Sequence, residues 1–128
     1  MVHLLLVAHA PLATALAAVA AHAFPDCAAH LRVLDVAPTW SLDVATEHVQ
    51  AQLSESGPVL VLVDVLGATP ANAVMRCAAS REATLVVSGV NVPMLWRTLC
   101  YAHEPLVDVA ARALEGATRG VGLAGADV

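Results

Sequence analysis

Lysine is missing altogether from the 128 residues. P-loop nucleotide binders and receiver domains, two common small α/β designs, each depend on a signature lysine and are thereby excluded. The six basic residues are all arginine and lie scattered, while the formal net charge is −5 and the pI is near 5.5. Nothing here forms the basic patch that a nucleic-acid binder needs. Aromatic residues are 3% and charged residues 13% against 59% hydrophobic, so the interior must be built mainly from Ala, Val and Leu. The three cysteines, Cys27, Cys77 and Cys100, show no C-x-x-C spacing and cannot all pair. Reduced, buried thiols in a cytoplasmic protein are the expectation. His3, His22, His30, His48 and His103 lack ligand spacing, so no metal is expected, and no other cofactor.

Residues 1–24 also lack any Asp, Glu, Lys or Arg. Ala21-His22-Ala23 imitates a signal-peptide cleavage site, but no basic n-region precedes it and His9 and Pro11 interrupt the apolar run. Three histidines within the stretch also argue against a membrane span. A strand followed by a helix, with no insertion into a membrane, is the reading that remains.

What is present is an alternation of short apolar runs and helical periodicities. Val2–Val7 is a strand ending at Ala8-His9-Ala10, and Pro11 opens a helix with Leu12, Leu16, Val19 and Ala23 at helical spacing. Ala10 then falls at the N-cap, where it has no side-chain acceptor, so the first amides of that helix are open to an anion. Leu31–Val36 reads as a second strand, and Ser41 caps a helix over Leu42–Leu53 that Gly57-Pro58 ends. Val59–Asp64 is a third strand, apolar enough to be covered on both faces. Helices follow from Pro70, Pro93 and Pro105, with a fourth strand at Thr84–Ser88 and a Gly-rich tail at Gly120–Val128. The pattern predicts one domain over residues 1–128, a three-layer αβα fold around a mainly parallel sheet of order 2-1-3-4.

That strand order sets a switch point between strands one and three, where open α/β sheets keep their chemistry. His9 ends the first strand and Asp64 the third. If Asp64 accepts from Nδ1–H of His9, Nε2 keeps an outward lone pair and becomes a nucleophile. A phosphoryl group on that nitrogen adds about −1.5 to −2 charges by analogy with phosphoserine. The helix N-terminus beside it, with Ala10 and Leu12, and the turn Gly67-Ala68-Thr69 supply amide donors, with Asn72 close behind. Thr69 has two readings, hydroxyl donor to the phosphoryl group or N-cap of the Pro70 helix.

Three segments carry a resemblance: LLLVAHAPLATAL, VLVLVDVLGATPANA and VVSGVNVPML. In order and spacing they are similar to the mannose-type enzyme IIA family of the bacterial phosphoenolpyruvate-dependent sugar phosphotransferase system. The second resembles the family's Asp-x-x-Gly-Gly-Ser/Thr-Pro-x-Asn loop, and the third its Gly-Val-Asn-Leu/Ile-Pro-Met-Leu. The resemblance implies a cytoplasmic homodimer that takes a phosphoryl group from the phosphocarrier protein HPr onto a histidine, here His9, and passes it to a IIB component. It makes Asp64 the acid beside that histidine and Thr69 the Ser/Thr position. It also implies a C-terminal strand, antiparallel to the rest, exchanged between subunits. Ala8, Ala10 and Ala68 depart from the family's usual Thr, Gly and Gly. The alternative role is regulatory: phosphorylation-dependent binding to a target other than a IIB component, without sugar transport. Residues 1–128 hold no IIB or membrane segment that would separate the two.

Overall fold

The structure, a computed structural model, describes residues 1–54 and 56–125. Four strands, β1 (His3–His9), β2 (Arg32–Val36), β3 (Val59–Val63) and β4 (Thr84–Val87), form one all-parallel sheet of order β2-β1-β3-β4. Among the described residues, six helices connect and cover them: α1 (Leu12–Ala23), α2 (Pro25–Ala28), α3 (Leu42–Gln52), α4 (Thr69–Ala78), α5 (Val92–Leu99) and α6 (Leu106–Arg119). The strand order assumed for this sequence pattern is therefore the one found.

The sheet separates two cores because successive strand residues face opposite sides. Leu4, Leu6, Leu60 and Leu62 pack with Leu16 of α1, Met94 and Leu95 of α5 and Val109 of α6. Leu5, Val7, Val61 and Val63 pack with Val49 of α3 and Val74 of α4. All five residues of β3 are buried, as an inner strand with helices on both faces requires. The Ser41 hydroxyl accepts from the Val44 amide and caps α3, as its position predicts.

Four details differ from the sequence reading. Helix α1 starts one residue later than expected: Pro11, not Ala10, holds the cap position, because its backbone (φ −100°, ψ 26°) is not helical. Ala68, not Thr69, caps α4, so the N-cap role considered for Thr69 is not the one it has. A short helix, α2, occupies a stretch with no periodicity to reveal it. The expectation of three reduced thiols is also corrected. Cys27 and Cys100 form a disulfide with Cα atoms 5.3 Å apart, while Cys77 is buried and free. The partners lie 73 residues apart, and only the packing of the α1–α2 segment against the end of α5 brings them together. Residues 121–125 are exposed and form neither helix nor strand, and the remainder of the tail expected to be exchanged, 126–128, lies outside the described residues.

Candidate functional site

The parallel register aligns Val7 with Val63, so β1 and β3 end side by side. His9 is the last residue of β1, and Asp64 is the first beyond β3. Their side chains meet: Nδ1 of His9 lies 2.6 Å from Oδ2 of Asp64, and the His9 amide donates to the same oxygen at 3.0 Å. The Val65 amide donates to Oδ1 at 2.9 Å. The donors are the end residue of β1 and the turn just after β3, which together hold the carboxylate still. A carboxylate accepts only, so Nδ1 carries the hydrogen and Nε2 of a neutral ring keeps its lone pair. The imidazole is 51% exposed and the carboxylate 12%, so the reactive nitrogen belongs to the group that reaches solvent.

Burial pushes the Asp64 carboxyl up, but the His9 amide, the His9 ring hydrogen bond, the Val65 amide and electrostatic attraction to the His9 ring together hold it below its usual value. Asp64 is thus an anion that balances charge on the ring.

Of the helices that begin at this end of the sheet, the two that follow the site's own strands are α1 after β1 and α4 after β3, and neither N-cap residue makes a side-chain hydrogen bond. The helices that start farther along, α3 and α5, are capped by Ser41 and Asn91. In α1 the Thr14 amide and hydroxyl both donate to Asp35, at the end of β2, and the Ala15 amide bonds the Pro11 carbonyl. The amides of Leu12 and Ala13 are left without an intrahelical acceptor. In α4 the Asn72 amide bonds the Ala68 carbonyl, leaving those of Thr69 and Ala71 in the same state. Ala10, expected to face an anion, has its amide committed to the Val36 carbonyl at 3.0 Å, because the β1–β2 ladder extends one residue past the strand. Gly67 holds φ +87°, which turns the chain from β3 into α4, and its surroundings are open. Among the described residues, neither the Thr69 hydroxyl nor the Asn72 carboxamide makes a hydrogen bond. Val65 and Leu66, the two residues after Asp64, are 50% and 62% exposed.

Two contributors escaped the sequence reading. The Gly89 amide donates to the Asp64 carbonyl and the Val90 amide to that of Val63, so the loop after β4 braces the acid from behind. Its Gly-Val-Asn triplet was the signal, and Asn91 serves as the α5 cap, accepting from the Met94 amide at 2.8 Å. Asp35 was the other, an acid closing a strand as Asp64 does. Among the described residues no cluster of three or more His, Cys, Asp or Glu is placed to hold a metal. Nor is any helix of those residues long and apolar enough to cross a membrane.

Comparisons with known proteins bear on the family and the fold. The chain is 36% identical over 93 residues to the PTS system mannose-specific EIIAB component of Escherichia coli (strain K12), covering 69% of this chain and 29% of that protein. It therefore spans less than a third of the curated relatives it matches. Its fold is similar to the mannose/sorbose specific IIA subunit of the phosphotransferase system from Enterococcus faecalis (TM-score 0.89, 21% identity, 98% of this chain and 96% of that one). It is also similar to phosphotransferase system component EIIA from Streptococcus agalactiae (TM-score 0.87, 19% identity, 96% and 97%). A model of the family described as "PTS system fructose IIA component" matches residues 3–114, and the chain belongs to this mannose-type IIA family of the phosphotransferase system.

Proposed function

We propose that the chain is a cytoplasmic phosphocarrier in which Nε2 of His9 takes a phosphoryl group from phosphorylated HPr and passes it to a IIB component. The observation that carries this is the 2.6 Å contact between Nδ1 of His9 and Oδ2 of Asp64, which leaves Nε2 of the half-exposed ring with its lone pair. The Nε2 lone pair attacks phosphorus, the P–N bond of the donor phosphohistidine breaks, and the donor imidazole leaves with that electron pair. The His9 ring gains positive charge as the N–P bond forms. Asp64 balances it through the Nδ1 hydrogen bond, and no proton need leave the site. The open amides of Leu12, Thr69 and Ala71, with Gly67 and Ala68 allowing close approach, face the incoming oxygens, and the hydroxyl of Thr69 and the carboxamide of Asn72 add donors. Transfer to a IIB component is the reverse reaction with a new acceptor, supported by the EIIAB names of the curated relatives. The exposed Val65 and Leu66 suit docking of a protein rather than a free sugar. One domain over residues 1–128, assembled as a homodimer with exchanged C-terminal segments, completes the reading.

Incubation with phosphoenolpyruvate, enzyme I and HPr, followed by intact mass, tests it. One acid-labile phosphoryl group per chain is expected, and none in His9→Ala. Label retained by His9→Ala would move the acceptor elsewhere. Discharge of the label by a IIB protein supports transfer; retention beside a IIB protein, with capture of another target only by the phosphorylated form, would make the role regulatory.

A further inference from the structure

At the pole of the sheet opposite His9, a cavity of about 240 Å³ lies beneath the Cys27–Cys100 disulfide. Val2, Leu4 and Leu99 line it, with His30 and His103 alongside. The Cys100 side of the bond carries long-range polar anchors, whereas the Cys27 side is held by partial burial against the core and one ring contact. Cys100 ends α5 and starts a loop that is anchored throughout. The Ala102 carbonyl accepts from the Val2 amide at 2.7 Å, and both Glu104 oxygens accept from Arg112 at 2.6 and 2.9 Å. The Arg112 guanidinium also sits 3.6 Å over the Tyr101 ring. Cys27 belongs to α2, a helix of four residues, none fully buried; Cys27 and Ala28 are partly buried against the core, and Phe24 before them meets Trp96 edge-on. Cys100 is exposed, so a dissolved thiol can reach its sulfur.

We propose that Cys27 and Cys100 form a reversible thiol-exchange site for low-molecular-weight thiols, and that its reduction releases α2 and uncovers the cavity. The inference rests on the proposed cytoplasmic role only for its setting, since disulfides there are usually transient and redox-sensing. A small thiolate attacks Sγ of Cys100, forming a mixed disulfide and expelling Cys27 as the thiolate. A second thiolate attacks the small-molecule sulfur, forming the small disulfide and releasing Cys100. The net change is one protein disulfide and two thiols giving two protein thiols and one small disulfide. Because Arg112 and Val2 hold the Cys100 side, the segment that moves is α2. Reoxidation requires only a small disulfide such as oxidised glutathione.

The probe is glutathione, reduced and oxidised in varied ratio, with thiols counted by alkylation and intact mass, and amide exchange followed over residues 24–31. No phosphoryl donor is present, so the outcome is independent of whether His9 is phosphorylated. Two alkylatable thiols should appear together within the glutathione series, beyond buried Cys77. Exchange over residues 24–31 should then speed at least tenfold while residues 101–112 stay unchanged, and oxidised glutathione should reverse both. Cys27→Ser and Cys100→Ser should hold the fast state at every ratio, and Cys77→Ala should switch as the parent does. The parent chain read in both states keeps the test valid if a Ser variant folds poorly. A pair that stays closed in reduced glutathione, never closes in oxidised glutathione, or switches without altering exchange over residues 24–31 overturns the proposal.

Discussion

Oδ2 of Asp64 accepts from two donors of one residue, the amide and the ring of His9, so a single carboxylate both aims the imidazole and balances its charge. Asp64→Asn keeps an oxygen in place but removes the charge. Phosphorylation of His9 should slow by roughly 10²–10³, the usual cost of losing one preorganised electrostatic group. Half-saturation for the phosphoryl donor should change little, and a loss confined to donor affinity would count against the charge-balancing role. The same carboxylate makes a pH prediction. Its folded pKa lies below the usual value, so its contribution to stability is complete above the unfolded value, about 3.9, and is lost as pH falls through the lower folded one. Urea midpoints of the parent and Asp64→Asn should therefore converge below about pH 4, and a gap undiminished at pH 2 refutes the assignment. The choice of His9 and Asp64 was legible because each stands as a polar residue at the end of an apolar strand. The commitment of the Ala10 amide to Val36 was not, because a ladder's last hydrogen bond depends on how far the neighbouring strand extends.

Among the elements, the helix starts distinguish structural ends from working ones. Ser41 supplies α3 with a local acceptor, so Ser41→Ala should cost about 1 kcal/mol in chemical unfolding and leave phosphorylation unaffected. Helices α5 and α6 approach closely enough that a Cβ on Gly116 would lie 2.5 Å from Cβ of Arg97 and 2.9 Å from the Pro93 carbonyl oxygen. Neither neighbour is the free end of a flexible side chain. Gly116→Ala should destabilise by about 1–3 kcal/mol, and an unchanged unfolding midpoint would show that the two helices can separate cheaply. The helix spans were readable from spacing and from proline at their starts. Helix α2 was not, because four residues are too few to show a period. The one-residue shifts at α1 and α4 reflect backbone angles at Pro11 and Ala68 that composition does not specify.

Across the whole molecule the sheet acts as a partition. Leu95 packs in the core on one side and Val74 in the core on the other, and both are fully enclosed. Leu95→Ala should cost about 2–5 kcal/mol, and its effect should add to that of Val74→Ala within about 0.5 kcal/mol. Strong coupling in the double variant would mean that strain crosses the sheet. The sequence by itself determined the alternation of strands and helices, the apolar inner strand and the two polar strand ends, because periodicity and polarity are local properties of a chain. The strand order 2-1-3-4 was an assumption carried by the common flavodoxin-like arrangement, and the fold bears it out. The tertiary structure alone decided that Gly89 braces Asp64, that Asp35 takes the first turn of α1, and that Cys27 meets Cys100. Each joins segments far apart in the chain, and the distance between such segments is set by how the layers pack.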